Sequence, residues 1–145
     1  MTDRPDLAAM IVPLGRALMA AEQPVLAAHG LTMWAYVVLL HLDEGPARGQ
    51  GVLAQEIGAD KTRIIAVLDD LQERGLIERH PDPADRRARL LALTPEGRRL
   101  RDAAQAGIQA QEDHLLGKLP AADRRGFLNA LIALAALPRD EITGP

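Results

Sequence analysis

At 145 residues, 48% hydrophobic and 2% aromatic, the chain is one domain by length, with a core of Ala, Leu, Ile and Val that favours helices. A domain of this size buries about 70% of its unfolded surface, and the absence of cysteine excludes disulfides, thiolate zinc sites and thiol redox sensing. The net charge is −3 but unevenly placed: residues 79–101 carry seven arginines against Asp82, Asp85 and Glu96, a local +4 that leaves −7 to the rest.

Leu7, Met10, Ile11, Leu14 and Leu18 recur at helical spacing and predict a first helix over residues 6–28. Pro13 and Pro24 lie inside it and predict a kink or break. Gly30 is its stop. Thr32 is placed to cap a second helix reaching residue 43, and EGPARGQG then reads as a loop. A short helix over 52–57 is followed by Gly58-Ala59 and by Asp60, the cap of a helix over 61–74. Ile64, Val67, Leu68 and Leu71 form the buried stripe of that helix. Gly75 suits a left-handed ending, with Leu76 folding back on Leu71. Two helices joined by so short a turn make a helix-turn-helix.

LIERH then reads as a strand, PDPADRRA as a turn and RLLALT as the returning strand, a hairpin with a long tip. Thr94 caps and Pro95 opens a helix to residue 119, striped by Leu100, Ala104, Ile108, Gln111 and Leu115. Pro120 ends it, and a last helix covers 121–137. The order of elements is that of a winged helix: mainly α with a small β-hairpin wing.

The chain resembles the MarR family of transcriptional regulators. Asp85-x-Arg87, then five residues, then Leu93-Thr94, two residues and Gly97 match the family's D-x-R-x5-L-T-x-x-G wing signature in full. The resemblance is strong over residues 53–100 and weaker in both terminal helices. It implies a winged helix-turn-helix over 31–101, flanked by dimerisation helices over 1–30 and 102–145. It also implies a homodimer acting on double-stranded DNA with a palindromic operator. Ile65 and Ala66 depart from the family, which has Thr and Arg there; Ala35 replaces the usual Gln.

Three wing arginines, Arg86, Arg87 and Arg89, stand in four positions. Arginine suits a narrow minor groove because its flat guanidinium binds phosphates and groove acceptors and is weakly hydrated. In the family the wing Asp orients the wing Arg. Asp85 is therefore expected to hold Arg87 and Arg87 to enter the groove, with Arg86 and Arg89 on phosphates. Lys61, Thr62 and Arg63 fill the helix turn that reaches base edges in helix-turn-helix proteins. Thr62 and Arg63 are expected on bases and Lys61 on phosphate. Gln50 suits either a phosphate or the cap of the preceding helix. Asp69, Asp70 and Glu73 further along would be repelled by phosphates, so only the first two turns are expected to enter the major groove.

Family members commonly release DNA when a small aromatic ligand binds between the dimer helices and the winged helix. Arg16, Trp34 and Tyr36 are the residues suited to border such a cleft, although Trp34 and Tyr36 read first as core or interface packing. GQGVLA matches a nucleotide-binding glycine string, but no strand precedes it and no βαβ unit surrounds it. The four histidines stand apart, so no metal or other cofactor is expected, and no nucleophile and base converge on an active site. The longest apolar run, LTMWAYVVLLHL, is about half a membrane span, and MTDRPDLAAM lacks a signal peptide's clean basic region. The expectation is a cytoplasmic, non-enzymatic repressor without membrane contact, released from DNA by an effector. The alternative is a winged-helix protein-interaction or scaffold module that does not read DNA.

Overall fold

The computed structural model describes residues 3–42 and 48–145. In chain order the elements are α1 (Leu7–Ala28), α2 (Met33–His41), β1 (Arg48–Gly49), α3 (Gln50–Ile57), α4 (Lys61–Glu73), β2 (Ile77–Asp82), β3 (Asp85–Leu93), α5 (Pro95–Leu116), α6 (Ala121–Ala135) and α7 (Arg139–Thr143). They form two compact units, Met1–Gly107 and Ile108–Pro145, with the boundary inside α5. This is the winged helix predicted from the sequence, with a sheet of three strands in the order β1-β3-β2.

Local chemistry sets the ends of the helices. At the end of α1, Gly30 takes φ +67°, and the Leu31 N–H bonds the Leu26 carbonyl at 2.9 Å. At the end of α4, Gly75 takes φ +73°, and the Leu76 N–H bonds the Leu71 carbonyl at 2.9 Å. Both are Schellman endings, which place a left-handed glycine one residue past the cap. Thr32 Oγ1 accepts the Ala35 N–H at 3.2 Å and starts α2. α1 and α2 meet at 88°.

The core of the first unit is aliphatic. Leu26, Val38, Leu39, Leu53, Leu68, Leu71, Ile77 and Leu91 are fully buried, so α1 to α4 and both long strands contribute to it. α5 approaches α1 closely, because a Cβ at Gly107 would meet Val25 Cγ1 at 2.8 Å. In the second unit, α6 and α7 bury no residue, and Phe127, Leu128, Leu131 and Ile132 are exposed.

Several sequence expectations change. α1 runs through Pro13 and Pro24 as one helix of 22 residues with no break. Both prolines are exposed, so the carbonyls they orphan, those of Ala9 and Ala20, stay solvated. EGPARGQG is not wholly loop. Arg48 and Gly49 pair with Leu91 and Leu90, and Gln50-Gly51 open α3; residues 43–47, including the expected end of α2, lie outside the described residues. The hairpin tip is short rather than long, because β2 and β3 extend to Asp82 and Asp85. α7 follows Pro138, where no helix was expected.

The wing ladder is regular from Ile77↔Leu93 to Pro81↔Arg89 and then steps to Asp82↔Asp85. Arg86, Arg87 and Ala88 consequently lie on β3 between two paired positions with no β2 residue opposite them. A bulge of this kind twists a strand and re-aims its side chains.

Candidate nucleic-acid interface

The start of α4 is built by its cap. Asp60 Oδ1 accepts the Arg63 N–H at 2.7 Å, and Gly58 at φ +72° turns the chain from α3 into α4. Ile64, Leu68 and Leu71 seat the helix on the core, leaving Lys61, Thr62 and Arg63 exposed in the first turn. That turn contains no acid, and the helix dipole adds partial positive charge there.

The seven arginines of residues 79–101 divide sharply. Arg79 is tied to Asp69 and to Gln72 Oε1 on α4. Arg99 pairs with Glu96. Arg101, buried, bonds Asp102 at 2.7 Å, and Arg98 is also engaged. Among the described residues, no acceptor pairs with the guanidinium groups of Arg86, Arg87 or Arg89, all three exposed. The unpaired positive charge of this segment is therefore concentrated on the wing strand.

The wing charge and the α4 start face one cleft. Gln50, Lys61, Arg87 and Arg89 line a concavity of about 390 Å³ together with Val52, Ile64, Ile65 and Ala88. Gln50 is the first residue of α3, behind Gly49 at the cap position, and no side chain caps that helix. This removes the capping role for Gln50. Arg86 is exposed and does not line the cleft. Further along α4 two of the three acids are neutralised locally, Asp69 by Arg79 and Asp70 by Arg74 at 3.6 Å.

The wing signature does two separate physical jobs. Thr94 Oγ1 accepts the Gly97 N–H at 3.0 Å and donates to the Gly75 carbonyl at 2.7 Å. The Thr94 N–H bonds the Leu76 carbonyl at 3.2 Å. A Cβ at Gly97 would collide with that same Leu76 oxygen. Leu93-Thr94 and Gly97 thus lock the wing and the end of α4 to the start of α5. Asp85 meets Arg87 differently from the expectation: Asp85 Oδ1 accepts the Arg87 backbone N–H at 3.0 Å, and the guanidinium stays free of it. Asp85 shapes the backbone that carries Arg87.

The residues expected to border an effector cleft lie on two helices, α1 and α2. Arg16 is exposed on α1, Tyr36 is buried in α2, and Trp34 is half-buried; none lines the cleft described above. Trp34 instead lies beneath Arg63, whose guanidinium carbon stands 5.4 Å from the ring centroid. Sequence reasoning missed three features here. β1, at two residues, is too short to show a period. Val52 was read only as the start of a helix, yet it is 55% exposed beside the cleft. The Arg63–Trp34 contact joins residues 29 positions apart.

A sequence profile of the MarR family matches residues 29–88. A putative transcriptional regulatory protein for the hcr operon of Thauera aromatica is 29% identical over 102 residues, which span 70% of this chain and 61% of that protein. The chain is also similar to a crystal structure of a MarR-family transcriptional regulator from Rhodococcus sp., 30% identical with a TM-score of 0.75, covering 92% of this chain and 97% of the other. CouR of Rhodococcus jostii with p-coumaroyl-CoA is 30% identical, with a TM-score of 0.73 and coverage of 94% and 98%. CouR bound to a 23-mer DNA duplex is 31% identical, with a TM-score of 0.74 and coverage of 90% and 92%. With its wing signature, its helix-turn-helix and near full-length likeness at 30% identity, the chain belongs to the MarR family of transcriptional regulators.

Proposed function

We propose that this protein is a dimeric, sequence-specific regulator that binds double-stranded DNA in the cytoplasm and represses transcription until a small effector releases it. The observation that carries this reading is the set of wing arginines left unpaired among the described residues, two of which share a cleft with Lys61 and Gln50. Unpaired cations beside an exposed helix start suit adjacent grooves of one duplex. In this arrangement Thr62 and Arg63 read base edges in the major groove, and Lys61, Gln50, Arg86 and Arg89 meet phosphates. Arg87, on the backbone shaped by Asp85, enters the minor groove.

A second copy is supported by the apolar faces left in water. Leu7, Met10, Ile11 and Leu14 of α1 are exposed, as are Phe127, Leu128, Leu131 and Ile132 of α6. Contiguous apolar surface of this kind marks an interaction site. A two-fold dimer presents two α4 helices to the half-sites of a palindromic operator, about 34–36 Å apart. The CouR structures, one with DNA and one with p-coumaroyl-CoA, support an operator and an effector carrying an aromatic group for this chain. Arg16, Trp34 and Tyr36 remain the residues proposed for that ligand. It acts only through different affinities for the DNA-competent and DNA-incompetent spacings of the two α4 helices.

The competing reading, a protein-interaction module, draws on the exposed Ile65 and Val52. A mobility-shift titration with the DNA upstream of the protein's own coding sequence, and with random duplexes as competitor, tests both. Specific retardation that weakens steeply with salt is expected. Equal affinity for all duplexes, or none, overturns the regulator reading.

A further inference from the structure

Ile65 is an aliphatic side chain, 45% exposed, on the helix that otherwise presents polar groups to solvent in its first turn. It follows the cap by five positions, so the core does not claim it: Ile64, Leu68 and Leu71 take that face. Thr62, Ala66 and Asp69 lie along the opposite face at helical spacing. Ile65 sits between the two faces, on the side that lines the cleft with Lys61, Arg87 and Arg89. The cleft therefore has a cationic rim and an apolar wall made by Val52, Ile65 and Ala88.

An occupant must satisfy both parts. A simple anion matches Lys61, Arg87 and Arg89 but leaves the isoleucine in contact with charge or water. An apolar protein surface matches Ile65 but leaves three cations desolvated without partners, which is costly. B-form DNA meets both demands: its phosphates suit Lys61 and Arg89, the minor groove beside them takes Arg87, and the adjoining major groove is wide enough for a helix and presents the thymine C5-methyl group. RNA does not: uracil lacks the methyl, and the A-form major groove is too narrow for side chains to read. Ile65 is also pre-ordered for the contact, since a β-branched side chain in a helix has one strongly preferred rotamer.

We propose that Ile65, with the Ala66 methyl beside it, is a specificity-determining residue that recognises thymine through its C5-methyl group. This rests on the DNA-binding reading given above. Apolar contact here selects thymine over cytosine, which presents no methyl at the same place.

The test begins with duplexes selected from a random pool by the wild-type protein. Each thymine of the selected site is then replaced singly by deoxyuridine, which keeps the base pair and removes only the methyl. One position in each half-site is expected to lose about fourfold in affinity, the worth of one buried methyl-sized group. For Ile65→Ala the same replacement is expected to change nothing, and circular dichroism and the thermal midpoint verify that this exposed-site variant is folded. Penalties equal in wild type and Ile65→Ala, or no penalty at any position, overturn the assignment while leaving the regulator reading standing. Failure of the selection to enrich any sequence overturns the regulator reading itself, and this inference with it.

Discussion

The guanidinium of Arg63 stands 5.4 Å from the ring centroid of Trp34, so a residue of the first turn of α4 rests on an aromatic of α2. Arg63 contributes its backbone N–H to the Asp60 cap and its side chain to Trp34. Two links hold it, one within its helix and one to another element. A ligand that displaces Trp34 would change where Arg63 points.

Trp34→Leu is expected to weaken operator binding roughly two- to fivefold, matching a cation–π contact of about 0.5–1 kcal/mol at an exposed site. In an Arg63→Ala background the same change is expected to have no further effect. Trp34 is the sole tryptophan, so intrinsic fluorescence during a DNA titration follows the pair directly. Additive losses in the two variants would show that the contact does not serve binding.

Arg87→Ala is expected to weaken operator binding by about 1–3 kcal/mol and to lower the salt slope by about one. Arg99→Ala is the control, since Arg99 is already paired with Glu96 away from the cleft. Titration at several salt concentrations measures both, and equal behaviour of the two variants refutes the wing assignment.

The exposed α6 face predicts the oligomeric state. Light scattering is expected to give a dimer, and Leu131→Glu with Ile132→Glu is expected to give mostly monomer, because these residues are 47% and 67% exposed in the single chain. A wild-type monomer at micromolar concentration would contradict the proposed two-fold arrangement.

Gly97→Ala is expected to destabilise the fold by about 1–3 kcal/mol, the usual cost of overpacking a buried site. The new methyl meets the Leu76 backbone oxygen, which cannot rotate away as a side chain can. Asp60→Ala is expected to cost about 1 kcal/mol through loss of the α4 cap. Urea unfolding measures both, and a Gly97→Ala midpoint equal to wild type would remove the locking role assigned to the signature glycine.

The helix-turn-helix was legible because its signals are local. Asp60, Gly58 and Gly75 each act within one turn of their own position, and the Ile64, Leu68 and Leu71 stripe carries the helical period. The wing was legible as a signature but not in shape. Pro83-Ala84 alone make the tip, because cross-strand pairing extends both strands into a segment whose prolines and aspartates read as loop. Of the candidate site, Lys61, Gln50, Arg87 and Arg89 come together along one cleft, which Arg16, Trp34 and Tyr36 do not line.

By itself the sequence determined the cap and the glycine ending of α4, the glycine ending of α1 and that basic charge gathers in residues 79–101, since caps, glycine endings and composition depend on near neighbours along the chain. Only the tertiary structure decided which of those arginines remain available. Arg79 is consumed by Asp69, ten residues away on another element, while Arg86, Arg87 and Arg89 meet no such partner among the described residues. The same holds for β1, whose partner on β3 is more than forty residues distant. Contacts between residues remote in sequence follow from how the elements pack, and no local pattern of residue types records that packing.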